Sequence, residues 1–160
     1  MTIILYVLVY ILVLLLQLSF ANLMAVYGIQ PNFLVIYLVF LSLKVRRVWG
    51  GVIGFGMGIV QDAVASPIFG VNAFSKTFAG FFVHLLPKER FGTPIFNTLN
   101  LLFWTGLVHD FLFNLIYSFG GGKSWGFILL RYAVPGAVYT AVLGMMIQAI
   151  FPKFLQAKHG

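Results

Sequence analysis

Four ionisable side chains, Asp62, Lys76, Asp110 and Arg131, stand inside long apolar stretches of this 160-residue chain. If those stretches cross a bilayer, a charge at depth is costly unless paired, so each of the four is a functional candidate by default. Two acids and two bases suggest mutual neutralisation between helices; a polar cavity for a ligand and a partner-binding role are the alternatives. Steps of four residues share a helix face. Such steps join Lys76, Gly80 and His84 on one segment, and Gly106, Asp110 and Asn114 on another, with His109 beside the latter. Histidines and carboxylates so placed could line a proton path. Two histidines on separate segments are too few for a metal site, which needs three or four converging ligands. The absence of cysteine removes disulfides, thiolate metal sites and cysteine nucleophiles. No hydroxyl has a base in a recognisable nucleophilic arrangement. Neither an enzyme nor a cofactor is expected.

A second pattern leads into Asp62. Gly50, Gly54, Gly58, Asp62 and Ser66 follow at successive four-residue steps, which places them on nearly one face of a helix. Small residues in that register let a neighbouring backbone come close, so the stripe reads as a packing or partner-binding seam. The string Gly54-Phe55-Gly56-Met57-Gly58 is no dinucleotide fingerprint, since it lacks the spacing and follows no strand. Gly120-Gly121-Gly122-Lys123-Ser124 mimics the tail of a phosphate-binding loop. The first glycine of that motif would fall on Tyr117, and the segment reads as a flexible turn.

The elements that must position these residues are membrane spans. Hydrophobic residues make up 61% of the chain and charged ones 8%, against roughly a quarter charged in soluble proteins. Judged against the ~20 residues a crossing helix needs, spans are expected at about 3–26, 32–43, 49–66, 71–86, 95–118 and 127–151 of one transmembrane domain, 1–160. The predicted fold is therefore an all-α polytopic helical bundle of about six spans. The second segment is short enough to be a re-entrant or broken element, in which case five spans remain. Pro31, Pro67, Pro87, Pro94 and Pro152 fall at helix ends, and Pro135 alone falls inside a span. Trp49 and Trp125 fall at expected interfaces, whereas Trp104 falls in mid-membrane. The basic residues group as Lys44, Arg46 and Arg47, then Lys88 and Arg90, then Lys153 and Lys158, each group after an even-numbered segment. The positive-inside rule then makes these connections cytoplasmic; six spans put both termini inside, and five would leave the N-terminus outside. Seven of the ten basic residues are accounted for in this way, as anchors that also meet anionic lipid, so the net charge of +7 does not argue for nucleic acid.

From Pro31 to Leu86 the pattern becomes familiar. Pro31-Asn32, an apolar run, the cluster Lys44–Arg47, the glycines from Gly50 to Gly58, Asp62, Ser66-Pro67 and Gly70 follow in order. This resembles MreD, the small integral membrane subunit of the bacterial rod-shape machinery, or elongasome. Gly54, Gly58, Asp62, Pro67 and Gly70 match the family's glycine-rich span ending in an aspartate and a Pro/Gly turn. Arg131, Pro135 and Val138-Tyr139-Thr140-Ala141 are similar to the family's last helix, with Thr140 a departure from its usual Tyr-Asn pair. The resemblance implies a non-enzymatic scaffold of the bacterial inner membrane that binds MreC. A second MreD copy is a further partner, and MreB, RodA and a class B penicillin-binding transpeptidase are reached indirectly. The family is also similar in fold to the substrate-binding S components of energy-coupling-factor vitamin transporters, which makes a vitamin-binding component the alternative. Against it, the outer loops are short, and the coupling pattern of small residues four apart finds only Ala21 and Ala25 on the first span.

Overall fold

The computed structural model describes residues 2–86, 94–119 and 124–150. The basic pairs Lys88/Arg90 and Lys153/Lys158, together with Pro87, Pro152 and the glycine run up to Lys123, lie outside the described residues. Six helices follow in order: α1 (Thr2–Ser19), α2 (Phe33–Ser42), α3 (Arg47–Ala65), α4 (Val71–Phe82), α5 (Pro94–Tyr117) and α6 (Trp125–Ile150). Three of them, α3, α5 and α6, are long and apolar enough to cross a membrane, and α1 and α2 are shorter apolar helices. Ile3, Leu8, Val64 and Leu130 are each more than half exposed on the outside of the bundle. A bilayer supplies the apolar surroundings that such a surface requires.

The first helix stops at Ser19, short of the span expected to reach position 26. The apolar run continues, but the backbone turns: Tyr27 and Gly28 both have positive φ, at 52° and 79°. Val26 and Ile29 exchange hydrogen bonds of 3.0 Å around them. Two consecutive left-handed residues are the signature of a tight reversal, and hydropathy alone does not reveal it. Gln17 fixes where the chain re-enters, accepting from Phe33 N–H at 2.7 Å and donating to the Pro31 carbonyl at 3.2 Å. Asn32 then caps α2, its Oδ1 accepting from Val35 N–H at 3.1 Å.

The short α2 is the buried axis of the bundle. Eight of its ten residues are buried, among them Leu34, Val35, Leu38 and Val39 with no exposure at all. That all-round burial explains a segment apolar on every face. It runs antiparallel to α1, with Phe33 beside Gln17 at one end and the Tyr37 hydroxyl on the Tyr6 carbonyl, 2.8 Å away, toward the other. Lys44 then lies 5.4 Å over the Tyr6 ring. The segment therefore runs back alongside α1, from Gln17 toward Tyr6.

The tightest contact in the molecule joins α3 to α4. A Cβ built on Gly50 would strike the Gly80 carbonyl, one on Gly54 the Lys76 carbonyl, and one on Gly58 the backbone of Asn72 and Ala73. Gly80 is in turn pressed against the carbonyl of Gly50. The two helices touch backbone to backbone along three turns. On α6, Pro135 removes one helical N–H, and the preceding turn Leu129–Ala133 widens to a π turn in which Val134 N–H reaches the Leu129 carbonyl. Trp104 is 43% exposed on α5 and donates to Asn100 Oδ1 at 3.0 Å.

Gly54→Ala should lower stability by roughly 1–3 kcal/mol, because the added methyl has only backbone to displace. Gly56→Ala, whose Cβ would meet nothing within 4 Å, should be neutral or stabilising. Thermal unfolding in mild detergent compares the two; equal tolerance of both substitutions would contradict the seam.

Candidate polar cluster and cleft

Asp62 ends the glycine stripe and is 3% exposed. Its carboxylate takes four hydrogen bonds from the start of α4. Gly70 and Ala73 N–H reach Oδ2 at 3.0 and 2.9 Å, while Asn72 N–H and Nδ2 reach Oδ1 at 3.1 and 2.9 Å. Gly70 makes this possible by adopting φ of 99° at the N-cap, where a side chain would be strained. An anion on the first turn meets both the unpaired N–H groups and the positive end of the helix dipole. Asp62 is thus the cap of α4, supplied from α3.

Lys76, one turn further along α4, is fully buried. Its ammonium donates to Asn72 Oδ1 at 3.0 Å and lies 3.2 Å from His109 Nε2 on α5. With an ammonium facing Nε2, that nitrogen is the acceptor, which assigns the ring proton to Nδ1. Nδ1 then donates to Asp110 Oδ1 at 2.9 Å. Asn114 Nδ2 holds the Asp110 backbone carbonyl at 2.7 Å. The result is a continuous polar chain, Asp62–Asn72–Lys76–His109–Asp110, crossing three helices.

This arrangement differs from direct ion pairing. Asp62 and Lys76 are joined through Asn72, and Lys76 and Asp110 through His109. Arg131 takes no part. It is exposed on α6, where its guanidinium donates to the Tyr27 carbonyl at 3.1 Å. His84 is also elsewhere, at the opposite end of the bundle, with Nε2 2.9 Å from the Val45 carbonyl. Of the residues singled out from sequence, Asp62, Lys76, His109, Asp110 and Asn114 converge. Gly50, Gly54 and Gly58 form the seam behind them, and Pro67 and Gly70 form the turn above.

Beside the polar chain a cleft of about 310 Å³ opens at the end of the bundle opposite Lys44–Arg47. Its lining includes His109, Asp110 and Asn114, together with Gln61, Asn32 and Gly136. Gly136 matters because Asp110 Oδ2 occupies the space its Cβ would fill. Sequence reading missed Asn72, Gln61 and Gly136. Asn72 stands one turn before Lys76 on the same face, so extending that stripe by four residues would have found it. Gly136 and Gln61 carry no comparable signal. Among the described residues no group of three or more His, Asp or Glu is placed to hold a metal ion.

An all-helical membrane bundle with a glycine-sealed hairpin and a capped intramembrane aspartate defines the class: a small multi-pass integral membrane protein. The family described as rod shape-determining protein MreD matches residues 1–158, so the chain belongs to the MreD family. That family is one of structural, shape-determining membrane proteins, and membership carries a role in rod shape. No curated protein and no solved structure matches the chain.

Two measurements follow from the hydrogen-bond pattern. Asp62→Ala should cost roughly 2–4 kcal/mol, since it leaves several buried donors at the α4 start unanswered. In double-mutant cycles, Lys76→Met and Asp110→Asn should couple by roughly 0.5–3 kcal/mol through His109, whereas Lys76→Met and Arg131→Gln should add within about 0.5 kcal/mol. Coupling of Lys76 to Arg131 instead would contradict the relay described here.

Proposed function

We propose that this protein is a non-enzymatic scaffold of the elongasome in the bacterial inner membrane, with both termini cytoplasmic, that binds MreC and a second copy of itself. Through MreC and MreB it would help organise RodA and its class B penicillin-binding transpeptidase. The observation that carries this reading is where the conspicuous residues go. The glycine stripe packs against α4, and Asp62 and Lys76 are satisfied by α4 and α5, so they hold the protein's own helices in place. A rigid body with an apolar exterior acts through what it touches. One surface suited to a partner helix is the groove of about 500 Å³ on the outer side of α3 and α4, lined by Val52, Phe55 and Phe78 with Gly51 among them. Small residues in such a groove let a transmembrane helix approach closely.

A vitamin-binding component is the second reading, favoured by the polar cleft. It would recover an ATPase-coupling module, where the scaffold recovers MreC.

Loss of function should track loss of assembly. Asp62→Ala, His84→Ala and His109→Ala, where folded, should restore rod shape to a depleted strain in proportion to the MreC they recover in mild detergent. Val52→Trp should lower MreC recovery without lowering thermal stability. A variant that recovers MreC fully yet restores no rod shape would contradict the scaffold reading and make the polar interior a working site.

A further inference from the structure

Two features at the open end of the bundle leave hydrogen-bonding capacity that the described helices do not use. The first is an unanswered carboxylate oxygen. Asp110 gives Oδ1 to His109, but among the described residues nothing donates to Oδ2, which faces the cleft beside Gly136. Gln61, which also lines the cleft, has its Oε1 buried with no partner among the described residues. Asn114 uses its amide nitrogen on the Asp110 carbonyl, and among the described residues nothing donates to its Oδ1. Charge is uneven as well. The cluster holds Asp62, Asp110 and Lys76; α4 answers Asp62, and Lys76 lies against Asn72 and His109. A carboxylate oxygen that no protein group answers takes its donors from whatever occupies the cleft. Three acceptors, one of them charged, suit a compact cation with several N–H donors, which describes a primary ammonium.

The second feature is Arg131, at the rim. One guanidinium nitrogen donates to the Tyr27 carbonyl, and the group lies 5.5 Å over the Tyr132 ring. Tyr132 and Gly28, the neighbour of Tyr27, both line the cleft. The side chain is exposed, so its remaining N–H groups are available at the mouth. A guanidinium presents its donors in the fork geometry that phosphate oxygens match. An anion within and a cation at the mouth repeat, in reverse, the order of charges in an ammonium that precedes a phosphate.

We propose that the cleft binds the headgroup of an aminophospholipid, with the ammonium on Asp110, Gln61 and Asn114 and the phosphate on Arg131. Free phosphoethanolamine shares this chemistry. The lipid is the assigned occupant because the protein is bathed in it, and because both charged groups belong to the membrane-embedded bundle.

The test is native mass spectrometry of the full chain released from micelles doped equally with phosphatidylethanolamine, phosphatidylcholine and phosphatidylglycerol. Phosphatidylethanolamine should be retained about tenfold over each of the others, the order expected of one charge-assisted hydrogen-bond set. The choline lipid keeps the charge and the phosphate but carries three methyl groups in place of the N–H donors, so this comparison tests the unaltered protein even if variants fold poorly. Asp110→Asn should bring the ethanolamine lipid down to the choline level. Arg131→Gln, at an exposed position, should lower both alike, since both carry the phosphate. Equal retention of the three lipids overturns the proposal, as does an ethanolamine preference that survives both substitutions. Tighter binding of free phosphoethanolamine than of the lipid would make the soluble compound the occupant and overturn the lipid assignment.

Discussion

The contact on which the rest of the structure depends is the backbone-to-backbone seam between α3 and α4. In a bilayer, lipid tails are as apolar as leucine, so burial alone does little to hold two helices together. Close van der Waals packing and satisfied polar groups must do it instead. Gly50, Gly54 and Gly58 remove the side chains that would keep the backbones apart, and Gly80 does the same from the other side. Asp62 then closes the hairpin by accepting the free N–H groups of the helix it has just met. Each device needs the other. Without the seam, Asp62 would not reach α4, and without the carboxylate the α4 N-terminus would carry unpaired donors where water is scarce.

The polar interior is a consequence of that hairpin. Because α4 is held in register, Lys76 faces α5, and the ammonium arrives at His109 rather than at lipid. His109 is oriented in turn by Asp110, whose position depends on the missing side chain at Gly136. Helices α3, α4 and α5 are thereby linked through one polar chain, and α6 makes room for its last member at Gly136. A protein built this way has little freedom to rearrange its interior.

Much of this was legible from residue spacing, and the limits have physical causes. Glycines at four-residue steps announce a close-packing face, because the helix repeat brings them together whatever lies opposite. What lies opposite is a matter of tertiary structure, and only the coordinates place Gly80 and the Lys76 carbonyl there. The intramembrane charges were visible as anomalies of hydropathy. Their partners were not, because direct ion pairing is the simplest way to neutralise a buried charge, whereas this chain interposes Asn72 and His109. Arg131 looked buried because its neighbours are apolar; a side chain that long can reach the surface from an apolar stretch. The end of α1 at Ser19 was hidden because the residues beyond it are apolar too, and the reversal at Tyr27-Gly28 is a backbone property that hydropathy does not carry.

The seam can be tested directly in the membrane, since the chain has no cysteine of its own. A Cβ at Gly51 would lie 3.8 Å from the Cβ of Phe81, which is the mean separation across a disulfide. In native membranes treated with a mild oxidant, Gly51→Cys with Phe81→Cys should form an intramolecular disulfide nearly completely, while Gly56→Cys with Phe81→Cys should not. Failure of the first pair to link, or equal linking of both, would contradict a fixed α3–α4 hairpin and the account of the polar interior that rests on it.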